Sequence, residues 1–306
     1  MNRRVLLTGA NGFVGRQVLR QLLQLGCEVR LLLRAANSVG NPQYSPQVSC
    51  IYTSDAFAES VDWWTKACEG VHTVLHLAWY VNPVDYLYSG NNLDCLVGTL
   101  RLAQGATLAG VKRLVGVGTC LEYDLSDPQV DLSVDVPLKP LTPYAGAKVA
   151  AFNALATWCA SQKISFAWCR LFYLYGEGED SRRLLPYVRA RLTAGLRAEL
   201  TTGQQIRDYL DVRLAGNLLA LVALEDWQGP INVCSGQAIT VRQLVENFAK
   251  PFNRSDLLAF GARADSMDVP PRVVGVPNKD LMTRLVDLVE LESPSKVRFG
   301  KFADKA

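Results

Sequence analysis

Histidine is nearly absent from this chain: its 306 residues include two, His72 and His76. They stand i,i+4, yet they flank Val74-Leu75-His76-Leu77, a strand-like run and not the helix on which that spacing serves a metal, so no zinc site is expected. No C-x-x-C pair occurs among Cys27, Cys50, Cys68, Cys95, Cys120, Cys159, Cys169 and Cys234. Several lie in apolar runs such as Phe166-Ala167-Trp168-Cys169, which reads as reduced core thiols of a cytoplasmic protein. Long apolar stretches are also missing, and none reaches the roughly 18 residues that a membrane-spanning helix needs. Met1-Asn2-Arg3-Arg4 is followed only by Val5-Leu6-Leu7 before Thr8-Gly9, so the N-terminus reads as a first strand, not a signal peptide. The net charge of +3 is dispersed, without the basic stripe that binding to a nucleic acid requires.

What is present is an ordinary core-forming composition, 49% hydrophobic and 20% charged. Short apolar strands alternate with amphipathic segments: Val5–Leu7 then 13–25; Val29–Leu33; Val48–Tyr52 then 59–69; Val74–Leu77 then 92–109; Leu114–Val117 then 144–161; and Ile164–Arg170. Repeated β-α units with right-handed crossovers give an α/β fold, a Rossmann-like doubly wound parallel sheet that binds ligands at the carboxyl ends of its strands. Residues 1–170 are expected to form this dinucleotide-binding domain. Beyond 170 the pattern loosens: helices are expected at 184–195 and 241–249, short strands near 198–201 and 231–233, and a Pro-rich loop at 270–277. This segment, 171–306, reads as a smaller, discontinuous C-terminal substrate lobe, with 206–235 returning to the sheet.

Gly9, Gly12 and Gly15 lie between the first strand and a helix whose apolar face is Val14, Val18, Leu19, Leu22 and Leu23. A tight glycine turn at that position lets backbone N–H groups and the helix N-terminus approach a pyrophosphate. The second strand ends on Leu33 and Arg34 where an NAD site usually has a carboxylate for the ribose 2′-OH. A cation there suits a 2′-phosphate, so NADP(H) is favoured over NAD(H). In "VGVGTCLEYD" a buried strand stops at Thr119, and "TPYAGAK" opens a helix with Tyr144 and Lys148 at i,i+4 on one face.

In this order these motifs resemble the extended short-chain dehydrogenase/reductase family, over about residues 1 to 235. The resemblance implies that Tyr144 is the general acid/base, that Lys148 lowers its pKa and holds the nicotinamide ribose, and that Thr119 hydrogen-bonds the reacting oxygen. It implies cofactor contacts from Gly9, Asn11, Gly12, Phe13, Val14, Gly15, Arg34, Asp55, Leu77, Ala78, Tyr144 and Lys148. Asn92 serves either the active-site hydrogen-bond chain or a helix N-cap. "QQIRDYLDVRLAG" resembles the family's RD(F/Y) segment, which makes Arg207 a phosphate ligand, and Arg263 in "FGARAD" a second. Against Arg207 stands a structural pairing with Asp208 or Asp211. Cys120, Glu122 and Tyr173 are expected beside the substrate, Cys120 with no chemical role.

Departures from the family narrow the chemistry. Its dehydratases follow the threonine with Asp-Glu, but here Cys120 and Leu121 follow, and Tyr173 replaces a frequent asparagine. Dehydration is therefore not expected, and carbonyl reduction is. The wording of the motifs is most similar to 4-ketoreductases of nucleotide-activated 6-deoxyhexoses, which implies an NADPH-dependent enzyme with a nucleotide-sugar substrate. A 4-epimerase using bound NAD, a reductase of small ketones and a non-catalytic NADP-binding regulatory module are the rivals. Surplus apolar residues on the third and fourth helical segments (Leu93, Leu96, Val97, Leu100; Val149, Phe152, Ala156) imply a homodimer.

Overall fold

The structure is a computed structural model that describes residues 4–35, 45–266 and 269–292. Strands β1 (Arg4–Thr8), β2 (Glu28–Arg34), β3 (Val48–Thr53), β4 (Thr73–His76), β5 (Arg113–Thr119) and β6 (Ser165–Leu171) occupy the first half. Helices α1 (Phe13–Gln24), α2 (Val61–Ala67), α3 (Asn91–Leu108) and α4 (Pro143–Ser161) connect them. Then come β7 (Tyr173–Tyr175), α5 (Leu184–Thr193), β8 (Ala198–Leu200), β9 (Ile206–Asp211), α6 (Val212–Leu224) and β10 (Gly229–Val233). The described chain closes with β11 (Ala238–Thr240), α7 (Val241–Ala249), β12 (Leu258–Phe260), β13 (Arg272–Val273) and α8 (Lys279–Glu292).

The main sheet has seven strands in the order β10-β6-β5-β4-β1-β2-β3, and every pairing in it is parallel. Alternation along each strand explains its two covered faces: Val5 and Leu7 point into a core with α1, α6 and α8, while Leu6 points into another with α2, α3 and α4. Strands apolar on both sides are what a parallel sheet between two helical layers requires. The strand order reverses between β1 and β4, which opens a crevice at their carboxyl ends.

The second half departs from the sequence reading. Within 206–235, β10 joins the main sheet and α6 covers it, but β9 instead centres a smaller sheet with β7, β11 and β13. After the expected return within 206–235 the chain comes back to the main core a second time. Helix α8 buries Leu281, Leu285 and Leu288 in the main core beside α6, each worth roughly 1.5–3 kcal/mol of hydrophobic burial. Residues 293–306 of the expected lobe lie outside the described residues. The lobe proper packs α5 and α7 around Leu185, Val188, Leu192, Leu244 and Val245.

Candidate active site

The glycine loop is shaped by contact as well as by backbone freedom. Gly9 has φ +74°, and a Cβ there would stand 2.8 Å from the Ala78 amide. A Cβ on Gly15 would overlap the Gly9 carbonyl oxygen. Gly12 caps α1 with no side chain over the helix end, so the first-turn N–H groups near Phe13 and Val14 face outward without a protein acceptor from the cap. This is a cradle that any side chain would fill, and it fits a dinucleotide pyrophosphate. The Asn11 carbonyl accepts from Arg16 Nε at 2.9 Å, and Ala78 donates its N–H to Thr8 Oγ1 at 3.1 Å, which fixes Leu77 and Ala78 against the loop. Arg34 is exposed at the end of β2 and pairs in register with Thr53 of β3. Asp55, just beyond β3, is exposed and accepts the Phe57 N–H at 2.9 Å.

Thr119 ends β5, and Thr142 caps α4 by accepting the Ala145 N–H at 3.2 Å, which sets Tyr144 and Lys148 on the buried face of the first turns. The Tyr144 phenol meets the Thr119 hydroxyl. Burial pushes its pKa above the usual phenol range, helped by Tyr86, Glu122 and Cys120, and the Thr119 hydrogen bond opposes the shift. Lys148 Nζ donates to the Val117 carbonyl at 2.6 Å and sits 3.7 Å from the Trp79 ring centroid. Burial holds it down to about 7, with Glu122 and Cys95 acting the other way. The pair lies fully inside the protein, where electrostatic contacts are strong.

Two residues behave differently from expectation. Asn92 is not an N-cap, since Gly90 occupies that position. It accepts from Trp79 Nε1 at 2.8 Å and donates to the carbonyls of Tyr86 (2.6 Å) and Ser89 (2.9 Å), pinning the loop after β4. Glu122, expected beside the substrate, is fully buried. It accepts from the Thr119 N–H (2.9 Å), Trp168 Nε1 (3.1 and 3.2 Å) and Arg170 Nε (2.7 Å). With its lone pairs taken it positions Thr119 instead of binding a ligand.

Cys120 is buried under the same turn, its thiol pushed up to about 12 by burial. Tyr173 on β7 lies below the Arg207 guanidinium, 5.3 Å from ring centroid to Cζ. Arg207 is buried, donates to its neighbour's Ile206 carbonyl at 2.7 Å, and faces Cys120. The proposed pairing with Asp208 or Asp211 is not found. Asp208 accepts from Ser235, Gly236 and Gly275, and Asp211 caps α6 and binds Arg213. Arg263 lies apart from Arg207. It is exposed, donates to the Tyr187 hydroxyl at 3.2 Å, and lines a cavity of about 180 Å³ with Arg182, Tyr187, Leu200 and Phe260.

Four residues that the sequence reading passed over complete the site: Trp79, Tyr86, Arg170 and Trp168. Trp79 and Tyr86 sit in the loop between β4 and α3, where no regular period exists to mark them. His76 is shared between Thr8 (2.8 Å) and Thr99 (3.0 Å) and held down to about 3 by burial, and among the described residues no cluster of metal-ligating side chains occurs. Nor is any described helix long and apolar enough to cross a membrane.

Sheet order, glycine cradle and the Thr119, Tyr144 and Lys148 set together define an extended short-chain dehydrogenase/reductase. Residues 5–234 match the NAD dependent epimerase/dehydratase family, and the chain belongs to it. It is 30% identical to a dTDP-6-deoxy-L-talose 4-dehydrogenase (NAD(P)(+)) of Kitasatospora kifunensis, over 79% of this chain and 77% of that one. To the dTDP-6-deoxy-L-talose 4-dehydrogenase (NAD(+)) of Aggregatibacter actinomycetemcomitans it is 24% identical, over 87% and 98%. The fold is that of the Thermus thermophilus UDP-glucose 4-epimerase solved with NAD, with a TM-score of 0.76 and 23% identity over 92% of each chain.

Proposed function

We propose that this protein reduces the C4 ketone of a nucleoside-diphosphate-4-keto-6-deoxyhexose with NADPH. The observation that carries the reading is a buried, protonated Tyr144 against Thr119 at the tip of β5, followed by Cys120 and Leu121, which supply no acid or base for dehydration. The two dTDP-6-deoxy-L-talose 4-dehydrogenases support it, because oxidation of a C4 alcohol and reduction of the C4 ketone are one reaction in two directions. A bound nicotinamide supplies the hydride. Tyr144 gives the ketone oxygen its proton, Thr119 orients that oxygen, and Lys148 stabilises the phenolate left behind. Arg207, buried above Tyr173, and Arg263, exposed beside Tyr187, take the pyrophosphate end of the substrate. The exposed Arg34, with no carboxylate at the β2 tip, supports NADP over NAD. Reduced thiols suit a cytoplasmic enzyme.

The assay is NADPH oxidation with 4-keto-6-deoxy sugars linked to dTDP, GDP, CDP or UDP. Turnover with at least one of them is expected, and none with any of them overturns the reading. Interconversion of two sugar nucleotides without net NADPH oxidation would instead make the chain an epimerase. A kcat/KM for NADH equal to that for NADPH removes the cofactor preference, and Arg34→Asp should move preference towards NADH. The same reading includes a homodimer through α3 and α4. Leu96, Leu100, Phe152 and Ala156 pack on the chain's own core, which leaves exposed Leu93 and Val97 on α3 and half-buried Val149 on α4 to carry the pairing. Light scattering that returns a monomer mass at micromolar concentration refutes it.

A further inference from the structure

The loop between β4 and α3 puts a second tyrosine into the centre of the site. The Tyr86 ring meets the Tyr144 ring edge to face, with centroids 5.0 Å apart and planes at 80°. Its backbone is held from three sides. The Tyr86 N–H donates to Asn82 at 3.0 Å, its carbonyl accepts from the fully buried Asn92 at 2.6 Å, and the next carbonyl, that of Leu87, accepts the Tyr144 N–H at 3.1 Å. The loop is thereby tied to α4 at the acid/base residue itself. It also reaches the smaller lobe, where Arg182 Nη1 donates to Asn82 Oδ1 at 3.3 Å.

The Tyr86 ring touches that of Tyr144 on α4, and the phenol lies within electrostatic range of Cys120 after β5, Tyr173 of β7 and Arg183 at the start of α5. Burial raises its pKa, so it is a hydroxyl at neutral pH, able both to donate and to accept. Among the described residues that hydroxyl has no hydrogen-bond partner. Tyr80, in the same loop, is bonded to Asp85, and Tyr123 beneath the site to Asn232. The residue is half-buried and its oxygen is not sealed from solvent, so a ligand entering the site can take up its hydrogen bonds in place of water.

We propose that Tyr86 determines substrate specificity, its hydroxyl binding the sugar hydroxyl on C3, one bond from the carbon that is reduced. The inference rests on the reduction of a 4-keto sugar proposed above. Contact with the Tyr144 ring fixes the reach: a phenol beside the proton donor meets the neighbouring ring atom of a bound hexose, and the rigid loop holds it there without reorganisation.

Tyr86→Phe tests this, because it keeps the ring and its contact with Tyr144. The thermal midpoint should not change, since no bond of the free protein is lost. With a dTDP-4-keto-6-deoxyhexose carrying the C3 hydroxyl, kcat/KM should fall about tenfold or more. With the 3-deoxy analogue, wild type and variant should be equal. Equal loss with both substrates, or no loss with either, overturns the proposal. So does a changed pH profile of kcat, which would make Tyr86 a proton donor. Calorimetric binding of the corresponding reduced ligands, dTDP-6-deoxyhexose and its 3-deoxy form, separates this from the reaction. If wild type turns over no ketone but Tyr86→Phe selectively loses affinity for the 3-hydroxy ligand, the role of Tyr86 stands and the reduction falls.

Discussion

Glutamine at position 122 would keep the shape of the side chain and remove its charge, at a point where the fold holds a buried cation. Arg170 is 1% exposed at its side chain, Glu122 0%, and their contact is 2.7 Å. Arg170 has one other polar partner there, the Tyr123 hydroxyl at 3.0 Å, which does not neutralise it. A glutamine retains one acceptor oxygen for donors on Thr119, Trp168 and Arg170, and turns an N–H₂ group towards one of them. Removing one partner of a buried pair costs about 3–5 kcal/mol, because the remaining charge stays desolvated. For a chain of this size that corresponds to a drop in Tm of about 5–8 °C. Calorimetry of the purified variant measures it. The double variant Glu122→Gln/Arg170→Met removes both charges while keeping an acceptor for Thr119 and Trp168, and should recover most of the loss. A Tm within about 2 °C of wild type for Glu122→Gln, or a double variant as unstable as the single one, would refute the orphaned-charge argument. The same turn explains Gly118, where a Cβ would overlap Glu122 Oε1 and Trp168 Nε1.

Lys148 links stability to pH. Its folded pKa of about 7 lies below the ordinary 10.5, so between those values the unfolded chain binds the extra proton. The cost of burying the ammonium is complete below about pH 7 and disappears as pH rises towards 10.5. Lys148→Met should therefore gain stability relative to wild type at about pH 6.5, an advantage that shrinks by roughly 2–4 kcal/mol by about pH 9.5 in urea titrations of the free protein. A pH-independent difference would show that the ammonium is not buried. Tyr144→Phe should lose a hundredfold or more in kcat while binding the cofactor as wild type does, and near-normal turnover would mean that another group supplies the proton. Arg207→Met, with no carboxylate partner to orphan among the described residues, should stay folded and lose selectivity for nucleotide-linked over free keto sugars. Unchanged selectivity would remove it from the substrate site.

The β-α alternation through residue 170, the glycine loop and the Tyr144/Lys148 spacing could be read from the sequence, because each is local. Period-2 and period-3.6 apolar patterns report faces, and a glycine turn or an i,i+4 pair lies within one loop or one helix. Partner choice is not local. Glu122 reads as a residue beside the substrate until β6 supplies Arg170 and Trp168, and segment 206–235 reads as one returning unit until β9 pairs with β7 and β10 with β6. Helix α8 has an amphipathic pattern that does not say which core it covers. Trp79 and Tyr86 carry no periodic signal, since an irregular loop is ordered only by what it is tied to. The sequence alone thus determined the β-α units, the glycine loop and the Tyr144/Lys148 spacing, whose patterns lie within a few residues. Tertiary structure alone decided which charges are buried and which side chains share a hydrogen-bond network, because desolvation depends on everything packed around a group and not on its neighbours along the chain.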